Sequence, residues 1–209
     1  MDLHKTLHIA KVTAPLVRDV FGALAAIVAG VAAVKGFNAW RRQLKGTTEY
    51  QIALKVLKAA SAFKDAIGDA RYTHIFPGEI TGRVSSEEES SAETTILNDA
   101  YAYHKRLEVV RTAQVDFHLA DLEAGAILGN GARKVLEPLY KASLKLQTTY
   151  GLYFSMKLHD ARSSRSQPDD APLKEMREVL FHDRNQDKFE EEVEKAVQSI
   201  ESKFRKYLK

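Results

Sequence analysis

From Val20 to Val34 the chain reads VFGALAAIVAGVAAV, fifteen residues without one polar side chain. As a helix such a run is apolar on every face, so it must be enclosed by protein or lodged in lipid. Fifteen helical residues cover roughly 22 Å, against ~30 Å for a bilayer core. Extension to Leu16–Phe37 adds Arg18, Asp19 and Lys35 near the ends, where the long basic side chains can reach the headgroups. Trp40 then falls at an interfacial level. A single transmembrane helix within residues 1–40 is the expectation, ahead of a cleaved signal peptide or an alanine-rich core helix. Lys35, Arg41, Arg42 and Lys45 follow at once. That cluster resists translocation, which argues against cleavage and places the C-terminal body in the cytoplasm with the N-terminus outside. The chain has no cysteine, consistent with a reducing compartment and excluding a disulfide scaffold or a thiolate metal site.

The run is rich in small residues. Gly22, Ala26 and Gly30 recur every four positions, flanked by Ala29 and Ala33. A small-xxx-small face lets helices approach closely, so self-association through these five residues is expected. Lys35, Trp40, Arg41 and Arg42 form the expected membrane-interface collar. Ahead of the run, Leu3, Leu7, Ala10 and Ala14 have helical spacing, which suggests a short interfacial helix ending before Pro15.

Residues 41–209 read as an all-α bundle of four or five helices. Thr48 is a candidate N-cap for a helix carrying Tyr50, Ala53, Leu57, Ala60, Phe63 and Ile67 on its apolar side. Pro77-Gly78 breaks the chain. Residues 79–93 are polar and predict a loop with Glu87 to Glu89 solvated. A long helix from about Thr95 to Leu128 has Leu97, Tyr101, His104, Leu107, Val110 and Val115 at threes and fours. Gly129-Asn130-Gly131 predicts a turn and an antiparallel return over about Ala132–Ala161, kinked by Pro138. Pro172 suits the first turn of a further helix, with Asp170 nearby as cap. Phe189, Val193, Val197, Ile200, Phe204 and Leu208 form the core stripe of the last.

Lys plus Arg number 31 against 28 Asp plus Glu, a net charge of +3, too mild for a dedicated DNA-binding domain. There is no Gly-rich phosphate loop, no G-x-S-x-G and no H-E-x-x-H. Asp116, His118 and Asp121 share one helix, but no second helix offers matching ligands, so no metal and no cofactor is expected. Arg177 and His182 have the spacing R-x4-H, and Arg111 and His118 the spacing R-x6-H. A histidine can move the proton of a ribose 2′-hydroxyl while an arginine holds the phosphate. The seven-residue pair lies on one helix face. The five-residue pair is about 140° apart and converges only if its helix breaks near Phe181.

The stretch Trp40-Arg-Arg-Gln-Leu-Lys-Gly-Thr-Thr-Glu-Tyr50, followed by Ala53, Leu57 and Phe63-Lys-Asp-Ala66, resembles uncharacterised bacterial proteins with one N-terminal span and a helical cytoplasmic domain. More loosely, a span, a helical body of this size and a late R-x4-H are similar to the HEPN-like membrane accessory protein of type VI-B CRISPR systems. That resemblance implies a homo-oligomeric inner-membrane pore acting in antiphage defence, with lipid, further copies of the chain, and a CRISPR effector or RNA as partners. It also implies a metal-independent HEPN ribonuclease as the alternative, with Arg177 and His182 catalytic, although Glu178 stands where active members carry a small polar residue or His. A passive membrane scaffold is the third reading.

Overall fold

The computed structural model describes the backbone of residues 3–163, 170–182 and 187–208, and their side chains except those of residues 3–20, Ala23, Ala25 and Asp170. Helix α1 spans Leu3–Ala70, α2 Ser91–Leu128, α3 Asn130–Arg133, α4 Glu137–Ser163, α5 Asp170–Leu180 and α6 Lys188–Phe204, with 3-10 turns at Pro77–Glu79 and Arg205–Leu208. The fold is all-α, with no strand among the described residues. The chain divides into two units, Met1–Thr48 and Glu49–Lys209.

The first unit is helix alone. Phe21, Leu24, Ile27, Val28, Val31, Val34, Phe37, Trp40 and Leu44 are each more than half exposed. Among the described residues no helix is long and apolar enough to cross a membrane. The expected span, Leu16–Phe37, falls partly outside the described residues at Leu16 to Val20, Ala23 and Ala25. Two expected breaks do not occur. The backbone stays helical through Pro15, and Thr48 lies inside α1 rather than capping a new helix. The reason at Thr48 is local: its hydroxyl donates to the Leu44 carbonyl at 3.0 Å, as Thr47 does to Gln43 at 2.9 Å. Both hydroxyls are satisfied without ending the helix.

The second unit has one hydrophobic core. From α1 it takes Ile52, Ala53, Val56, Ala60, Phe63, Ala66 and Ile67, the three-and-four spacing of a single face. Phe63, Phe117 and Tyr140 meet at its centre, with ring centroids 5.4 Å apart for Phe63–Phe117 and 4.9 Å for Phe117–Tyr140. Helix α4 returns antiparallel to α2, since Arg162 reaches Glu93, Tyr150 reaches the Ala100 carbonyl, Gln147 reaches Gln114 and Arg133 reaches Asp121. The bulky stripe expected on α2 is met in part: Leu107 and Val110 are buried, Leu97 and Tyr101 are half-buried, and His104 and Val115 are exposed. The core face of α2 adds Ala102, Tyr103, Phe117, Ala120 and Ala124 to Leu107 and Val110, its alanines admitting a close approach. Pro138 does not kink a helix; α3 ends at Arg133 and Pro138 stands in the first turn of α4, where its missing N–H costs nothing. Helix α5 starts at Asp170 with Pro172 in its first turn. Phe189, Val193, Val197, Ile200 and Phe204 of α6 are buried as expected.

The polar stretch before α2 is ordered by charge. Ser90 accepts from the Glu93 backbone N–H, and Glu93 reaches back to the Ser90 N–H at 2.9 Å, so α2 begins at Ser91, four residues before the expected start. Glu89, expected to be solvated, is instead tucked against Arg83, whose NH2 lies 2.6 Å from Oε2. Hydrogen bonding from Arg83, then from the Ser86 backbone, holds the Glu89 carboxyl at about 2. Arg162 and then Ser90 hold Glu93 at about 2 as well. Both values lie below the ordinary 4.5. Their stabilising contribution is therefore complete above pH 4.5 and is lost as pH falls through about 2. Acid titration followed by circular dichroism should show the α2 entry loosening across that window. Arg83→Gln should flatten the loss, and an identical acid profile in that variant would refute the assignment.

Candidate functional site

Arg71 follows the last residue of α1 and is 1% exposed. Its guanidinium is enclosed by acceptors. Nε donates to the Val179 carbonyl at 2.8 Å, and NH2 lies 3.1 Å from the Glu178 carbonyl, 2.9 Å from that of Phe181 and 2.8 Å from Asp187 Oδ1. Two of these are carbonyls of the last turn of α5, which lack partners within their own helix, and the third is that of Phe181 just beyond it. Asp187 is also the N-cap of α6, accepting from the Glu190 N–H at 2.8 Å. The Phe189 ring stacks on the guanidinium at 4.8 Å. One arginine thus joins the end of α1, the C-terminus of α5 and the N-terminus of α6.

His182 belongs to this node and not to Arg177. Its Nε2 donates to the Gly68 carbonyl at 3.1 Å, which leaves Nδ1 facing Glu190 Oε2 at 3.2 Å, Asp187 Oδ2 at 3.4 Å and Arg71 NH1 at 3.5 Å. The helix does break at Phe181, since α5 ends at Leu180. The break turns His182 toward α1, while Arg177 is exposed and lines a separate cavity of about 270 Å³ with Asp99, Tyr153 and Lys157. Burial raises the Asp99 carboxyl above its ordinary value, and Lys157 partly offsets this. The expected catalytic pair is therefore not brought together. His182, Asp187 and Glu190 do place three ligand atoms within 4.8 Å of one another. The cation of that cluster is the Arg71 guanidinium, whose charge repels a metal ion.

A larger cavity than that one lies between α2 and α4 beside the α3 turn. It measures about 1070 Å³, and its lining includes Arg111 and His118, the second R-x-H pair. One wall is Val115 and Leu119, both at least half exposed. One end holds a carboxamide network: Gln147 Nε2 donates to Gln114 Oε1 and to Ser143 Oγ, both at 3.0 Å, and Arg111 Nε lies 3.5 Å from Gln147 Oε1. At the other end Arg133 grips Asp121, with Nε 3.0 Å from Oδ1 and NH2 3.2 Å from Oδ2. Asp121 is 4% exposed, so it is a buried carboxylate with its counterion in place. Arg133 reaches it by lying across Gly125; a β-carbon there would stand 2.6 Å from Arg133 Cδ. Asp116, His118 and Asp121 thus do not converge as a metal trio, because Asp121 is committed to Arg133. Tyr140 lines the same groove, and its buried hydroxyl has no hydrogen-bond partner among the described residues. Burial, and next the charge of Asp121, push that hydroxyl well above the ordinary tyrosine range. Periodicity offered no means of finding this groove, because its lining alternates between two helices and a turn.

The five small residues expected at a contact between copies, Gly22, Ala26, Ala29, Gly30 and Ala33, are all exposed. A β-carbon at Gly22 or Gly30 would meet nothing within 4 Å. Lys35, Trp40, Arg41 and Arg42 are exposed too, with Trp40 against Phe37 at 5.8 Å.

Removal of Asp187 would strand a buried guanidinium and uncap α6. Asp187→Ala should lower unfolding free energy by about 3–5 kcal/mol in urea denaturation. Arg71→Lys should also destabilise the bundle, because an ammonium cannot reproduce the planar fork. Tyr140→Phe should be neutral or stabilising, by up to about 1 kcal/mol, because it deletes an unsatisfied buried hydroxyl. A clear loss in that variant would show that the hydroxyl has an intramolecular partner. Comparison of the chain with protein-family models, with curated proteins and with solved structures gives no match.

Proposed function

We propose that the chain is a membrane-anchored protein that assembles with copies of itself. The segment Leu16–Phe37 is the anchor, and the bundle of Glu49–Lys209 is held on the side of Lys35, Arg41, Arg42 and Lys45, the cytoplasmic face of an inner membrane. The observation that carries this reading is the apolar surface of the first unit, nine large hydrophobic side chains within Phe21–Leu44, each more than half exposed. So much contiguous apolar area in water calls for an occupant. Lipid fits it best, because the run is apolar around the whole helix and not on one stripe. Arg18 and Lys35 extend the fifteen-residue core toward the headgroups.

Self-association is supported by the glycines. Among the described residues nothing packs against Gly22 or Gly30, so their smallness serves no contact described within one chain. In lipid, small residues at four-residue spacing favour close helix pairing. A pore is the finer form of this reading. Its wall would be alanine and glycine, since Val20–Val34 has no polar side chain to offer an ion. The antiphage role and a CRISPR effector or RNA partner rest on the resemblance alone. The ribonuclease reading gains no support from Arg177 and His182.

Mass photometry of the detergent-solubilised chain is the test. Wild type is expected to run as a discrete oligomer and Gly22→Leu/Gly30→Leu as smaller species, with the melting temperature of the bundle unchanged. Reconstituted wild type should release a small dye from liposomes if the assembly conducts. A full-length chain that stays soluble and monomeric without detergent would overturn both anchoring and assembly.

A further inference from the structure

We propose that the groove between α2 and α4 binds a small organic anion with a flat apolar body, of the nucleotide class. The charge of its lining argues for an anion. Asp121 is taken by Arg133, and Glu137 pairs with Lys141 at 2.8 Å. With these pairs removed, Arg111 and Lys134 remain as cations facing the groove, with His118 beside them. Neither Arg111 nor Lys134 forms an ion pair among the described residues, and Arg111 is steadied by a carboxamide, not by a carboxylate. A guanidinium held this way keeps its fork for an incoming phosphate.

The apolar wall argues for more than a bare ion. Val115 and Leu119 are 59% and 50% exposed, on the same side of α2 as Arg111 and His118 by helical spacing. A cavity of about 1070 Å³ is at the upper end of small-molecule sites. Gln114 and Gln147 add carboxamides that can meet the polar edge of a base. The Tyr140 hydroxyl supplies the second, independent observation: it is a buried donor without an acceptor among the described residues. A ligand oxygen seated there would satisfy it. This inference concerns the bundle only and does not rest on the membrane reading.

The test is titration of the full-length chain in detergent micelles with a fluorescent N-methylanthraniloyl ATP, followed by displacement with unlabelled ATP. Saturable binding is expected. Arg111→Gln should weaken it about tenfold and Lys134→Gln several-fold, with a steeper loss at high salt in wild type than in either variant. Tyr140→Phe should weaken binding without lowering the melting temperature, a combination that a purely structural tyrosine would not produce. Tripolyphosphate alone should displace the probe at least about tenfold less well than ATP, since it lacks the flat body. Three results would overturn the proposal. They are no saturable binding up to about 1 mM probe, unchanged affinity in Arg111→Gln or in Tyr140→Phe, and displacement by tripolyphosphate or by a poly-glutamate peptide as effective as displacement by ATP.

Discussion

The ion pair between Arg71 and Asp187 is the point on which the packing of the bundle turns. A guanidinium 1% exposed is tolerable only where its donors are matched. Here the matching groups come from two other helices. The terminal carbonyls of α5 and the capping carboxylate of α6 both converge on a residue at the end of α1. Three helix ends that would otherwise leave polar groups stranded in a low-dielectric interior satisfy one another. The register of α5 and α6 against α1 is set by that exchange.

A second polar girdle does similar work along the first half of the α1–α2 connection. Arg106 holds Glu79 through Nε at 2.6 Å and NH2 at 2.7 Å, and also donates to the carbonyls of Tyr72 and His74. The Tyr103 hydroxyl donates to the Tyr72 carbonyl as well, at 3.0 Å, while its burial pushes the phenol up to about 12. The connecting segment therefore has its carbonyls claimed by side chains of α2. It lacks regular helix over residues 72–76 yet has little freedom, because leaving those carbonyls bare beside the core would be costly.

Much of the bundle is legible in the order of residues. The closing helix, the proline-led start of α5 and the return of α4 follow from apolar spacing and turn chemistry, each a local signal. What was hidden is tertiary in origin. Helix α2 puts Ala102, Ala120 and Ala124 to the core beside Leu107, Val110 and Phe117 and leaves Val115, Leu119 and Leu122 outside, so its bulky residues mark the core face only in part. Thr48 has the chemistry of a cap but spends its hydroxyl inside a continuing helix. The R-x4-H pair needed a break near Phe181 in order to converge; the helix does end at Leu180, yet His182 is carried to a partner 111 positions away. No spacing rule could anticipate Arg71, which has no apolar period or motif to mark it.

Gly125 has a consequence for how the groove is built. Its missing side chain is the floor on which the methylenes of Arg133 rest on their way to Asp121. A methyl group at that point would stand 2.6 Å from Arg133 Cδ, so the methylenes would have to take another route to the carboxylate. The space left by one absent carbon is thus the track along which the tether of a positive charge runs.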